Sequence, residues 1–307
     1  MNNELKNIMI PEKTTKYLFF GGKGGVGKTT MATATAVWFA DHGYKTTIVS
    51  TDPTVSLSVI FAQEIGGEAR VPIHHVKNLC GLNINPNDAK GVFTSRLTGV
   101  MGQMTGAFGS DVISTPCMEE MATFDQFVTF LEKPDSEVIV FDTAPTGKSL
   151  RELAMPFDWA GFLQKQIQEG KKLAELMNNT DNDSFKDLEK DKKRYDQALD
   201  VLRDRFTTVF NLVLLPERLP IEETHSAIMG LDKLGIPVQG IVVNQCILPE
   251  VIEGNRFLQA RANLQKTYLD EINTRFKAFI QSRLPLLDHD VSDLISLRKV
   301  GKLLYGQ

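Results

Sequence analysis

The sequence predicts an α/β protein, a mainly parallel, doubly wound sheet with helices on both faces. Three observations carry that expectation. Short runs of β-forming residues alternate with helical stretches along the chain. Each run is apolar nearly throughout, as strands covered on both faces must be. The glycine-rich stretch GGKGGVGKTT, residues 21–30, stands directly between the first such run and the first long helix. A chain of 307 residues can bury a large core. We expect a single domain over residues 1–307, with helical insert segments at about 87–135 and 157–206.

In chain order, YLFFGG (17–22) opens the sheet and MATATAVWFADHG follows as a helix ended at Gly43. TTIVST (46–51) is the next strand, and LCGLNINP (79–86), which alternates moderately, adds another. Residues 87–135 break the pattern: Met-, Gly- and Thr-rich around TGVMGQMTGAFGSDV, they turn helical at EEMATFDQFVTFLEK. EVIVFD (137–142) restores the strands. Residues 157–206 hold FDWAGFLQKQIQEGKKLAELM, the polar turn NNTDNDS and the charged helix KDLEKDKKRYDQALDVLRDRF. Those charges suit a solvated helix face. Both interruptions are expected to project from the edge of the nucleotide domain. TVFNLVLL (208–215) and QGIVVNQ (239–245) supply the remaining clear strands.

Composition narrows the function classes. A hydrophobic content of 42% and a charged content of 23% are those of a soluble globular protein. A net charge of -4 gives no support for nucleic-acid binding. No apolar run reaches the ~18 residues that would span a bilayer, and MNNELKNIMIPEKTTK lacks the apolar core of a secretory signal. Cys80, Cys117 and Cys246 are too widely spaced for a disulfide framework or a CxxC zinc pair. A reducing cytoplasm is the expected location. No internal repeat at a fixed period is visible.

Gly22, Lys23, Gly24, Gly25, Val26, Gly27, Lys28 and Thr29 fit GxxxxGK[ST] at every fixed position, after a strand and opening a helix. Glycines let backbone N–H groups turn inward around phosphate oxygens. The helix beginning near Gly27 adds its positive end. Lys28 would reach the β- and γ-phosphates, the Thr29 hydroxyl would ligate Mg²⁺, and Thr30 completes the loop set. Asp52 in STDPTVSLSV ends the second strand, where a carboxylate can orient a water or bind Mg²⁺ through water. Taken alone such an Asp-Pro is usually a helix cap or turn, and beside a phosphate loop the balance reverses. Four apolar β-formers run into Asp142, the expected Mg²⁺ carboxylate. Thr143, Pro145, Thr146 and Gly147 form a loop able to sense the γ-phosphate. No guanine-reading NKxD is present. The Asn244 amide could bond the adenine edge, with Pro285, Leu286 and Leu287 against the base, so ATP is favoured.

KGGVGKTT is similar to the deviant Walker A loop of dimeric P-loop ATPases, which carries an additional lysine near its start. STDP, DTAPTG, VVNQ and PLL narrow the resemblance to the arsenical pump-driving and tail-anchored-protein targeting ATPase family, over roughly residues 15–305. The resemblance implies a P-loop NTPase fold, a homodimer and Mg²⁺-dependent ATP hydrolysis. It implies that Lys23 reaches across the dimer to the partner's phosphates, offsetting charge that builds up in phosphoryl transfer as an arginine finger does. It assigns Asp52 to positioning water, Asp142 to Mg²⁺ and Asn244 to adenine. A lysine solvated beside the loop is the bland alternative for Lys23.

The chain departs from the family in several places. Targeting members commonly carry a CxxC zinc pair before an ARxxxQxxYL helix; here QARANLQKTYLDEI follows Asn255, Arg256, Phe257 and Leu258, and no thiolate pair is available. Lys148 stands in the second switch where the family usually has histidine, and DPTVSLSV lacks the histidine common after DPA. STPCMEEMATFDQF resembles the arsenical pump ATPases, in which a cysteine at the place of Cys117 binds trivalent arsenic or antimony. A soft thiolate suits a soft metalloid. If Cys117 lies near the dimer axis, its twin supplies a second sulfur, and exogenous thiol or water the third ligand. Cys80 and Cys246 read as buried strand residues. Met101, Met104, Phe108, Met118 and Met121 read either as core or as part of a flexible groove for a transmembrane helix. The resemblance implies a cytoplasmic ATPase energising arsenite or antimonite efflux through a membrane carrier, with the metalloid sensed at Cys117. Targeting of tail-anchored membrane proteins is the alternative. No nucleic-acid partner and no transmembrane segment of its own are expected; contact with a membrane would come through the partner.

Overall fold

A computed structural model of the protein describes residues 4–51, 57–67, 69–84, 91, 118–132, 134–143, 153, 186–306 and, between 157 and 172, all but 159, 162, 166 and 170. The elements are α1 (Glu4–Met9), β1 (Lys16–Gly22), α2 (Lys28–Asp41), β2 (Thr46–Ser50), α3 (Leu57–Phe61), β3 (Val71–Pro72), β4 (Leu79–Asn83), α4 (Met118–Glu132), β5 (Val138–Asp142), α5 (Lys186–Arg203), β6 (Thr208–Leu214), α6 (Arg218–Lys233), β7 (Val238–Cys246), α7 (Arg256–Arg275), β8 (Ile280–Pro285) and α8 (Leu294–Tyr305). The chain divides into two compact units. The first joins Met1–Asn83, Asp135–Ser149 and Asp204–Gln307; the second joins Ile84–Pro134 and Leu150–Arg203.

The first unit is built on one sheet, in the order β3-β4-β2-β5-β1-β6-β7-β8. Every pairing is parallel except β3 with β4. All residues of β1, β2, β5 and β6 are buried, which is why the sequence shows them as runs of mostly apolar and β-branched residues with few charges. Register aligns Phe19 of β1 with Phe141 of β5 and Phe210 of β6. Their rings stack at 4.7 Å and 4.3 Å, a row of aromatic contacts across the three central strands. β8 is an edge strand with a single buried residue, Leu284, and shows neither apolar continuity nor alternation.

On one face α2 and α8 meet closely: a Cβ on Gly301 would lie 3.1 Å from the Trp38 Cβ and 3.2 Å from the Ala34 carbonyl oxygen. The Thr35 hydroxyl and the Tyr305 phenol share a buried 2.6 Å hydrogen bond in that contact. β4 ends at Asn83, whose amide donates to the Ile65 carbonyl at 2.7 Å and accepts from the Leu57 N–H at 3.3 Å.

In the second unit α4 packs on α5. Arg194 of α5 holds this pair together, reaching the carboxylates of Asp125 and Glu132 and the carbonyl of Asp125. The Tyr195 hydroxyl donates to the same Asp125 carboxylate at 2.7 Å. The polar turn at 178–184 lies outside the described residues. Among the described residues, no helix is long and apolar enough to cross a membrane.

Candidate nucleotide site

β1 ends on Gly22 and α2 opens on Lys28, so residues 23–27 form the turn at the carboxyl edge of the sheet's centre. Two glycines are sterically required. Gly22 has φ 149, and a Cβ there would sit 2.3 Å from the Val213 carbonyl oxygen of β6. Gly27 is the N-cap of α2 in a left-handed conformation, φ 99, and a Cβ would lie 2.5 Å from the Asn244 amide nitrogen. No side chain caps α2 and its first turn carries no acid, which leaves its N–H groups to an anion. Gly24 and Gly25 are exposed, Val26 is fully buried, and Thr29 and Thr30 are half-buried.

The two lysines of the loop lie differently. Lys28 is buried and its ammonium donates to the carbonyl of Lys23 at 3.3 Å. Lys23 points to α6, where its ammonium pairs with the Glu223 carboxylate at 3.0 Å.

Asp142 is fully buried at the end of β5, opposite Phe20 of β1 and Ser50 of β2. The Ser50 hydroxyl donates to its carboxylate at 3.5 Å, and the Thr51 N–H donates to its carbonyl at 3.0 Å. The Thr143 hydroxyl donates to the Phe20 carbonyl at 2.9 Å, fixing the start of the following loop against β1. Thr29 and Asp142 offer a hydroxyl and a carboxylate, hard oxygen donors of the kind Mg²⁺ takes. Asp52, Cys117, Pro145, Thr146, Gly147 and Lys148 lie outside the described residues. So do Met101, Met104 and Phe108, and the side chains of Met118 and Met121.

Asn244 is 8% exposed and supports the loop directly: its amide donates to the Val26 carbonyl at 2.9 Å and accepts from the Gln245 N–H at 2.9 Å. Pro285 ends β8 opposite Cys246, and the Leu286 N–H donates to the Cys246 carbonyl at 2.8 Å. Beside them a cleft is lined by Leu215, Pro216, Gln245, Ile247, Phe257 and Leu286, with the Arg261–Glu217 ion pair on its wall. Cys246 is buried and its thiol is pushed up by that burial, so it is inert, whereas Cys80 on β4 is partly exposed. Asn255 takes the N-cap of α7, accepting from the Leu258 N–H at 3.1 Å, just where the family's thiolates are missing. Sequence reasoning did not find Glu223 or the left-handed backbone of Gln245, φ 58. Glu223 stands in no motif, and Gln245 closes VVNQ, which does not mark its backbone conformation.

A phosphate-binding loop on a central parallel strand, leading into an uncapped helix and flanked by a buried strand-end aspartate, defines a P-loop nucleotide-binding protein. Within that class, the chain belongs to the ArsA ATPase family, described as anion-transporting ATPases, whose model matches residues 15–306. It is 33% identical to a Halobacterium salinarum protein provisionally named an arsenical pump-driving ATPase, over 97% of this chain and 46% of that relative, so it spans less than half that relative's length. It is 32% identical to the ATPase ASNA1 homolog 2 of Paramecium tetraurelia, covering 99% of this chain and 97% of the relative. It is 30% identical to the ATPase get3 of Pyrenophora tritici-repentis, covering 96% and 93%. The protein is therefore an ATPase of this family, whose members named above carry both arsenical-pump and get3 or ASNA1 names.

Proposed function

We propose that the protein is a Mg²⁺-dependent, homodimeric, cytoplasmic ATPase that energises arsenite or antimonite efflux through a membrane carrier. The hydrolytic part of this reading rests on the loop. Lys28 and the N–H groups opening α2 would hold the phosphates, Thr29 and Asp142 would hold Mg²⁺, and Asp52 would orient the attacking water. Mg²⁺ would offset charge on the β- and γ-phosphate oxygens. Lys23 would leave Glu223 and reach the phosphates of a partner subunit, so turnover would need two subunits. Asn244 and Pro285 would border the adenine.

The observation that carries the metalloid reading is Cys117 in STPCMEEMATFDQF, in a chain without the CxxC pair of targeting members. The name of the Halobacterium relative favours it. The ASNA1 and get3 names of the other relatives favour the second reading equally: an ATP-dependent targeting factor for tail-anchored membrane proteins.

The deciding measurement is ATPase rate with and without antimonite or arsenite, on the native chain and on Cys117→Ser. Stimulation that disappears in the variant is the expected result. No metalloid response, together with capture of a hydrophobic tail helix in pull-down, would sink the pump reading. For the dimer, Lys23→Ala is expected to abolish hydrolysis and leave nucleotide binding largely intact; turnover at the native rate would rule out the lysine's role across the dimer.

A further inference from the structure

α7 is a 20-residue helix with two buried residues, Gln265 and Ile272. Ile272 packs into an apolar cluster with Leu214, Ile241 and Phe276, as a core residue should. Gln265 has no such reason to be inside. Its amide is committed to two backbone groups: it accepts from the Ile247 N–H at 2.9 Å and donates to the Gln245 carbonyl at 2.9 Å. Those bonds bracket the end of β7, where the sheet register slips between Val243 and Cys246 and Gln245 sits at φ 58. A glutamine adopts the left-handed region only when its surroundings over-determine it.

That turn aims Asn244. Its side chain is held by the Gln245 N–H on one side and grips the Val26 carbonyl on the other, both at 2.9 Å. The next residue of the loop, Gly27, passes so close to the Asn244 amide that a Cβ would not fit. A continuous series of hydrogen bonds therefore runs from a side chain on α7, through the backbone of Gln245 and Ile247, through Asn244, to the last turn of the phosphate loop.

We propose that Gln265 is a positioning residue for nucleotide binding: it fixes the turn after β7 so that Asn244 can hold the phosphate loop in shape. The inference rests on the nucleotide site proposed above. Its test is a double-mutant cycle read by titration with the fluorescent adenine nucleotide mant-ADP, on the native chain, Gln265→Ala, Asn244→Ala and the double variant. Gln265→Ala is expected to weaken binding by roughly tenfold, and the double variant to bind no more weakly than Asn244→Ala alone. Native affinity in Gln265→Ala, or independent losses that multiply in the double variant, would overturn the proposal. A merely structural glutamine would lower the melting temperature without that coupling.

Gln265→Glu covers the case in which the alanine variant does not fold. It keeps the acceptor for Ile247 and loses the donor to Gln245 at neutral pH. Its affinity relative to the native chain is expected to recover as the pH falls and the new carboxyl regains a proton; a ratio that stays flat with pH counts against the proposal. If the native chain binds no adenine nucleotide, the nucleotide site itself is wrong and the inference falls with it.

Discussion

The phosphate loop shows how differently neighbouring residues can be constrained. Gly27 is fixed twice, by a left-handed backbone and by the Asn244 amide beside it. Gly27→Ala is expected to weaken nucleotide binding by about 5- to 150-fold, since strain of about 1–3 kcal/mol must be absorbed by the loop or by Asn244; isothermal titration would measure it. Lys23 is constrained only weakly. Its pair with Glu223 is exposed at 35% and 43%, and pairs of that kind contribute about 0.2–1 kcal/mol. Glu223→Gln is therefore expected to change the melting temperature by no more than a few degrees. The same change frees Lys23, and ATP turnover at low protein concentration is expected to rise. Lys28 was legible because the motif fixes it, and Lys23 because the loop resembles the deviant Walker A form. The partner of Lys23 was not, because nothing local marks a glutamate that meets it across 200 residues of chain.

At the scale of elements, the central strands were legible because burial on both faces favours apolar and β-branched residues in β1, β2, β5 and β6, with few charges. The edges were not. β3 has two residues and β8 is mostly half-buried, so neither writes a period into the sequence. The helix pair α4–α5 was visible, but the charge run on α5 read as a solvated face, and Arg194 within it is 13% exposed. Burial pulls its guanidinium down, and Asp125 and Glu132 more than reverse this, leaving it above the ordinary arginine value. Arg194→Met would strand the 6%-exposed Asp125 carboxylate without its cation. A loss of about 3–5 kcal/mol is expected, as for other broken buried pairs. Hydrogen exchange confined to α4 and α5 would locate it. The opening of α8 offers a pH test. Hydrogen bonds from Ser296 hold the Asp293 carboxyl below its usual range. A depressed carboxyl stabilises the fold above its unfolded pKa of about 3.9 and loses that contribution as the pH falls through its folded value. Fraying of α8 in acid, followed by amide exchange, is the expected result, and Asp293→Asn should shift it.

Over the whole molecule, burial decides how the fold meets alkali. Burial raises the Tyr17 phenol to about 12 and pushes that of Tyr305 well above its ordinary value, opposed by the hydrogen bond to Thr35. A group raised in the folded state stabilises it below the unfolded pKa, near 10, and that contribution is lost as the pH climbs through the folded value. Tyrosine absorbance near 295 nm is expected to show Tyr17 and Tyr305 ionising together with unfolding, not as independent steps near pH 10. The strand order has a further consequence during synthesis. β1 is made early, yet its two neighbours, β5 and β6, are encoded far downstream. At translation rates of about 5–20 residues per second, roughly 10–40 seconds separate the emergence of β1 from that of β6. For that interval the nascent chain carries the Phe19 strand with an edge still open, so a strand that ends wholly buried must be kept from pairing elsewhere until β6 arrives.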